Sequence, residues 1–163
     1  MAILVMLAAF LAVHDPSMSH VRSSDPEIMA VIAAGFEQSE TFRRLVDALD
    51  RSDVIVYVEL KVRREGLGGY LAHNVLNAGP YRYLHVAIGL RGTDARVISI
   101  LAHELQHALE VAEHLDARDP VRVERLFARL SVDNGCAVGN CFETEAARHI
   151  EVIVLAEVRR GAH

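Results

Sequence analysis

The chain has no tryptophan, four tyrosines, five phenylalanines, four prolines and two cysteines in 163 residues. Two cysteines build neither a disulfide framework nor a four-thiolate metal site. With so few aromatics, the 52% hydrophobic fraction is carried by aliphatic side chains. Basic residues are also short: 17 Lys and Arg stand against 22 Asp and Glu, a net charge of −5. That balance leaves no basic footprint for nucleic acid. The longest apolar run, MAILVMLAAFLAV over residues 1–13, falls short of the roughly 20 residues a helix needs to span a bilayer. No internal repeat or low-complexity tract is present, and no methionine follows Met29.

Histidine, in contrast, is plentiful at nine residues, and three of them fall in AHELQHALEVAEH, residues 102–114. On a helix, positions i, i+4 and i+7 share a face. His103, His107, Glu110 and His114 therefore lie on one side, and Val97, Ile98, Leu101, Leu105, Ala108 and Ala112 mostly on the other. An ordinary amphipathic helix carries Lys, Arg and Glu outside, not a row of imidazoles. Within the run, His103-Glu104-Leu105-Gln106-His107 has the pattern HExxH. Two histidines one turn apart can both aim a ring nitrogen at one Zn²⁺. The glutamate beside the first is placed to take a proton from a water on the metal. His103 and His107 are thus candidate ligands and Glu104 a candidate general base.

A catalytic zinc site needs a third protein ligand and an open position. Glu110 shares the histidine face but lies about 10 Å along the axis from His103, so it suits a hydrogen bond to a ligand histidine rather than ligation. The distant candidates lie in NCFETEAARHIEVIVLAEVRR, residues 140–160, which reads as a closing helix. Its apolar positions are Ala146, Ile150, Ile153 and Val154, and Arg148, Glu151 and Arg159 mark its wet side. Glu143 projects onto the apolar face, Glu145 onto its flank, and Glu157 onto the apolar face as well. A carboxylate aimed into a core is costly unless paired or metal-bound, which favours Glu143 and keeps Glu145 open.

An HExxH helix followed by a later glutamate helix resembles the gluzincin metallopeptidases. The residues that carry the resemblance are HELQH and CFETEAARH, the latter similar to the E-x-x-A pattern of several gluzincin families. It covers roughly residues 54–158. The HExxHxxGxxH pattern of metzincins is not met, since Glu110 and Glu113 stand where Gly and His belong. Carried over, the resemblance makes His103, His107 and Glu143 ligands of one Zn²⁺ per chain and Glu104 the general base. It implies a small zincin-like domain of the minigluzincin kind. In such folds the strand before the HExxH helix borders the cleft, so Tyr81–Leu90 would serve as a template for an extended peptide.

The fold class expected is α+β: a small antiparallel or mixed sheet packed against the HExxH helix and a C-terminal glutamate helix. Residues 1–24 read as a signal-like apolar segment and linker, which implies export. Residues 25–163 read as one domain. Asp25-Pro26 opens a helix to about residue 50, broken near Gly35 or within EQSET. Strands are expected at 54–62, at GYLAHNVLNAG and at YRYLHVAIGL, with a turn at Ala78-Gly79-Pro80. Thr93 or Asp94 caps the HExxH helix, and Asp119-Pro120 opens a short helix to about Leu130. Cys136 and Cys141 flank a four-residue loop and would form a disulfide in an exported chain.

The chemistry implied is hydrolysis of a peptide or protein substrate. Glu104 moves the proton, and a second donor stabilises the carbonyl oxygen. His149, Tyr83, Tyr81 and His114 are the candidates for that donor. Two other classes remain: a zincin-like zinc-binding module without proteolytic activity, and a structural protein with an accidental HExxH. Composition does not fix the oligomeric state.

Overall fold

A computed structural model describes residues 19–61, 68–133 and 142–161. Most of the signal-like segment and both cysteines of the expected disulfide, Cys136 and Cys141, lie outside the described residues. In chain order the elements are β1 (Val21–Arg22), α1 (Pro26–Gln38), α2 (Glu40–Asp50), β2 (Val54–Leu60), β3 (Gly69–Ala78) and β4 (Tyr81–Ile88). They continue as α3 (Asp94–Glu113), α4 (Pro120–Leu130), β5 (Ser131–Asp133), β6 (Glu143–Thr144) and α5 (Glu145–Gly161). The class is α+β, as the alternation of patterns predicts. No helix among the described residues is long and apolar enough to cross a membrane.

Local chemistry sets most boundaries. The Asp25 side chain accepts from the Glu27 and Ile28 amides, and Pro26 opens α1, where its missing N–H costs nothing. The helix runs through Gly35 and breaks at Ser39, which ends α1 and caps α2 through a bond to the Phe42 amide. Thr93 and Asp119 cap α3 and α4 in the same way. The hairpin turn places Gly79 at φ 57°, a left-handed conformation that favours glycine.

Four strands form a mixed sheet in the order β1-β2-β4-β3. β1, β2 and β4 are parallel, and β3 pairs antiparallel with β4. Val21 and Arg22, within the stretch read as linker, pair with Val56 and Tyr57. β4 is an internal strand, so the expectation that Tyr81–Leu90 borders the cleft is corrected. The edge strands are β1 and β3, and β3 lies outside because the chain returns from it into the sheet interior and pairs β4 in parallel with β2. One sheet face, with Val54, Val56, Val58, Leu71, Val75, Leu84, Val86 and Ile88, enters the core against α3. The other carries Tyr57, which stacks on Tyr83 and His85 at centroid distances of 6.3 and 6.0 Å.

α3 is the centre of the molecule. Fourteen of its twenty residues are buried, because it packs against the sheet, α1, α2 and α5. The histidine face, read as opposed to a core face, is therefore itself covered. The C-terminal end of α3 is held by a side chain that the sequence pattern did not single out. Arg82 stands at a core position of β4, in step with Leu84, Val86 and Ile88, and is fully buried. Its guanidinium donates to Asp53 at 2.9 and 2.6 Å. It also donates to the carbonyls of Val111, Ala112, His114 and Ala117 at 2.8–3.2 Å. A buried charge is tolerable only with such complete pairing.

The bond from Arg82 is the main cause that holds the Asp53 carboxyl below its ordinary pKa, against burial and with the charges of Arg82 and Arg118 helping. Arg82→Met should lower the unfolding free energy by about 3–5 kcal/mol, since it removes the two-bond partner of Asp53 and a donor from each of four carbonyls; denaturant titration measures this. The Asp53 pKa is depressed on folding. Its contribution is therefore present above the unfolded value of about 3.9 and lost as pH falls through the folded value. Asp53→Asn should flatten that part of the stability–pH curve.

Candidate metal centre

His103, Glu104, His107 and Glu110 stand on successive turns of α3, each at most 7% exposed. The two imidazoles meet edge to face, with centroids 4.9 Å apart. His107 Nε2 lies 3.2 Å from His103 Nε2, and His103 Nε2 lies 3.2 Å from Glu143 Oε1. One ligand atom from each of His103, His107 and Glu143 falls within 4.8 Å of the others. The group could hold a metal ion. Two ligand atoms bound at 2.0–2.1 Å in tetrahedral geometry would stand about 3.3 Å apart, close to the separations found.

The outer ring nitrogens explain why this spacing suits a cation. His107 Nδ1 donates to Glu110 Oε2 at 2.9 Å, which fixes the ring proton on Nδ1 and leaves Nε2 a lone pair. His103 Nδ1 lies 2.9 Å from Glu151 Oε2, a charge contact rather than an aligned hydrogen bond. Glu151 favours the same tautomer. Two nitrogen lone pairs and a carboxylate oxygen then converge on one point, an arrangement that repels itself unless a proton or a metal ion lies between. Burial opposes charge on His103, but contacts with Glu151, Glu104 and Glu143 outweigh it, and its pKa is raised.

Glu143 reaches the cluster differently from the helical projection. It belongs to the two-residue strand β6, paired with β5, and α5 begins only at Glu145. Its second oxygen, Oε2, accepts from Arg148 Nε at 3.0 Å, so one oxygen faces the histidines and the other is occupied. Thr144 does two further jobs. Its hydroxyl donates to Glu110 Oε1 at 2.7 Å and accepts from the Ala147 amide at 3.1 Å, as an N-cap does. Adjacent residues thus supply a ligand and the support of the other ligand's partner. The Glu110 reading holds: it orients His107 and does not join the ligand group.

Other candidates lie apart from this group. Glu145 and His149 are exposed, and neither is in the ligand group or the pocket lining. The buried positions of α5 are Ala147, Val154 and Val158, so the helical phase differs from the projection that placed Glu151 on the wet side. Glu151 turns inward, pairs with His103 and Arg96, and has its pKa lowered chiefly by the His103 contact. Glu157 likewise does not approach the metal group. Its carboxylate accepts from the Ser39 and Thr41 hydroxyls and the Thr41 amide at the start of α2. Tyr81 packs against His20, Tyr83 stacks on the outer sheet face, and His114 donates from Nδ1 to the Glu110 carbonyl.

A cavity of about 90 Å³ opens beside the cluster, lined by Gly69, Tyr70, Leu71, His73, Phe127 and Phe142 besides the ligands and Glu104. Burial, the largest influence, raises the Glu104 pKa, against His107 and His103; the Leu71 backbone bonds its carboxyl. The strand approaches closely because Gly69 has no side chain: a Cβ there would lie 3.1 Å from Glu104 Cγ and Oε1.

Chelator competition should rank the metal-site variants. Glu143→Ala deletes a ligand and should lose most of the affinity, while Glu145→Ala keeps it. Thr144→Val, which removes a support of Glu110 together with the cap on the Ala147 amide but no ligand atom, should cost about 10–100-fold. Because the metal displaces the His103 proton, affinity should rise with pH through and beyond the ordinary imidazole value of about 6.5. A flat profile would remove that proton from the account.

Comparisons with protein-family models, with curated proteins and with solved structures find no match for this chain, so the site itself carries the functional argument.

Proposed function

We propose that the chain is a zinc-dependent metallopeptidase of the small, single-domain gluzincin kind, with a zincin-like fold. The observation that carries the reading is the convergence of His103 Nε2, His107 Nε2 and a Glu143 oxygen beside the buried Glu104, in one open pocket. Two imidazoles and one carboxylate suit zinc and leave a position for water or substrate. A zinc ion held there would bring the pKa of a coordinated water toward about 7 and polarise a carbonyl group.

The chain's own residues do the rest. Glu104 is not in the ligand group and lines the pocket beside it. It would take the proton of the attacking water and return it to the departing amine. Burial raises its proton affinity, which suits a group that must first accept. The Leu71 backbone and the absent side chain at Gly69 fix where it points. Glu110 and Glu151 hold the two histidines in orientation. An extended peptide laid along β3, an edge strand, would pass over the cluster, since residues 69–71 and 73 line the cavity.

Glu104→Gln tests this directly. Metal analysis should find one zinc per chain in both proteins, and hydrolysis of a mixed fluorogenic peptide pool should fall at least about 10²–10⁴-fold in the variant. Retained activity would reject Glu104 as the base. A wild-type protein that holds zinc and cleaves nothing would be a zinc-binding module instead.

A further inference from the structure

The peptidase reading leaves one role empty: a second donor for the carbonyl oxygen as it gains charge. None of His149, Tyr83, Tyr81 and His114 lines the cavity. Of the lining side chains that are neither ligands nor Glu104, only Tyr70 and His73 carry polar groups. Tyr70 pairs with Ala87 in register, which puts it on the outer sheet face, and Lys61 Nζ lies 5.5 Å from its ring centre. His73 has the same strand parity as the buried Leu71 and Val75 and so faces inward.

Three features hold His73 in place. The pairing of β3 with β4 jumps from Ala72↔His85 to Leu76↔Tyr83, so four residue steps on one strand oppose two on the other. Such a bulge re-aims side chains and is common beside functional sites. The His73 ring stacks against Phe127 at 5.7 Å and packs against Phe142 at 5.6 Å. Phe127 in turn meets the ring of His107 edge-on at 5.3 Å. Among the described residues the ring nitrogens of His73 make no hydrogen bond, while stacked rings restrict the imidazole on two sides.

We infer that His73 donates a hydrogen bond to the substrate carbonyl oxygen as negative charge develops there, an inference that rests on the peptidase reading. A neutral imidazole carries one N–H, which suffices. Burial lowers the pKa of His73, with Glu124 opposing and His107 adding to it, a direction that favours the neutral form. His73 keeps its proton throughout, and no bond to it forms or breaks. The role is electrostatic: a donor fixed in advance where charge will appear.

The test uses zinc-loaded full-length protein and N-phosphoryl-leucyl-alanine, a dipeptide bearing a tetrahedral oxyanion. His73→Phe keeps the aromatic stack and removes the donor; His73→Gln restores an N–H. Calorimetry should show the phosphoryl dipeptide bound about 10–100-fold more weakly by His73→Phe, with zinc affinity unchanged and partial recovery in His73→Gln. In parallel, kcat should fall about 10²–10³-fold with KM little altered. Unchanged dipeptide affinity in His73→Phe, with zinc in place, overturns the inference and leaves the peptidase reading standing. Loss of zinc in both variants overturns it too, by making His73 a packing residue. A wild-type protein that takes up no zinc rejects the peptidase reading and this role together.

Discussion

Four ionisable side chains buried along one helix are the constraint on which the rest of the molecule depends. Each charge taken out of water carries a penalty of several kcal/mol unless a partner is supplied. The partners of His103, Glu104, His107 and Glu110 come from three different elements: the Leu71 backbone on β3, Glu143 and Thr144 on β6, and Glu151 on α5. The contacts that dock β3, β6 and α5 onto α3 are therefore the same contacts that shape the site. At the end of the same helix, Arg82 ties the α3 carbonyls to β4 and to Asp53. Little of this surface could be repacked without disturbing the other half.

What was legible in the sequence was local. The α3 helix, its threonine cap, the aspartate caps of α1 and α4, and the turn at Gly79 all follow from signals within a few residues. HExxH on that helix, and Glu110 as support for a histidine, were legible for the same reason: both are helix-face arguments. Glu143 was chosen on a premise that fails, since it lies in a strand and not on a helical apolar face. It is nonetheless the carboxylate grouped with both histidines where a metal ion could be held. Thr144 held the missing signal. Read as a cap, it starts α5 at Glu145, frees Glu143 from the helix and corrects the phase that hid Glu151.

The remaining misses are non-local. Sheet order depends on β2 pairing in parallel with β4 while β3 lies outside, and no short pattern distinguishes that from a plain meander. Arg82 is different, because a trace of it was present: an arginine in step with Leu84, Val86 and Ile88 on an alternating strand is a charge on the core face. Its partners, a loop aspartate and four carbonyls from the end of a later helix, appear only in three dimensions. His73 was hidden for both reasons. It stands at a bulge, where the pairing register shifts, and its neighbours Phe127 and Phe142 come from distant segments.

Charge balance at the cluster links its two states. Glu104, Glu110, Glu143 and Glu151 supply four carboxylates, and Arg96 and Arg148 supply two guanidinium groups against Glu151 and Glu143. With the histidines neutral and all four carboxylates ionised, four negative charges minus two positive ones would leave an excess of two. Burial makes such an excess costly, because little water screens it. A proton on His103, whose pKa is raised, would remove half of the excess and keep the facing nitrogens from repelling each other. One divalent ion would remove all of it through the same lone pairs. On charge alone, such a site would suit a dication better than a monovalent ion.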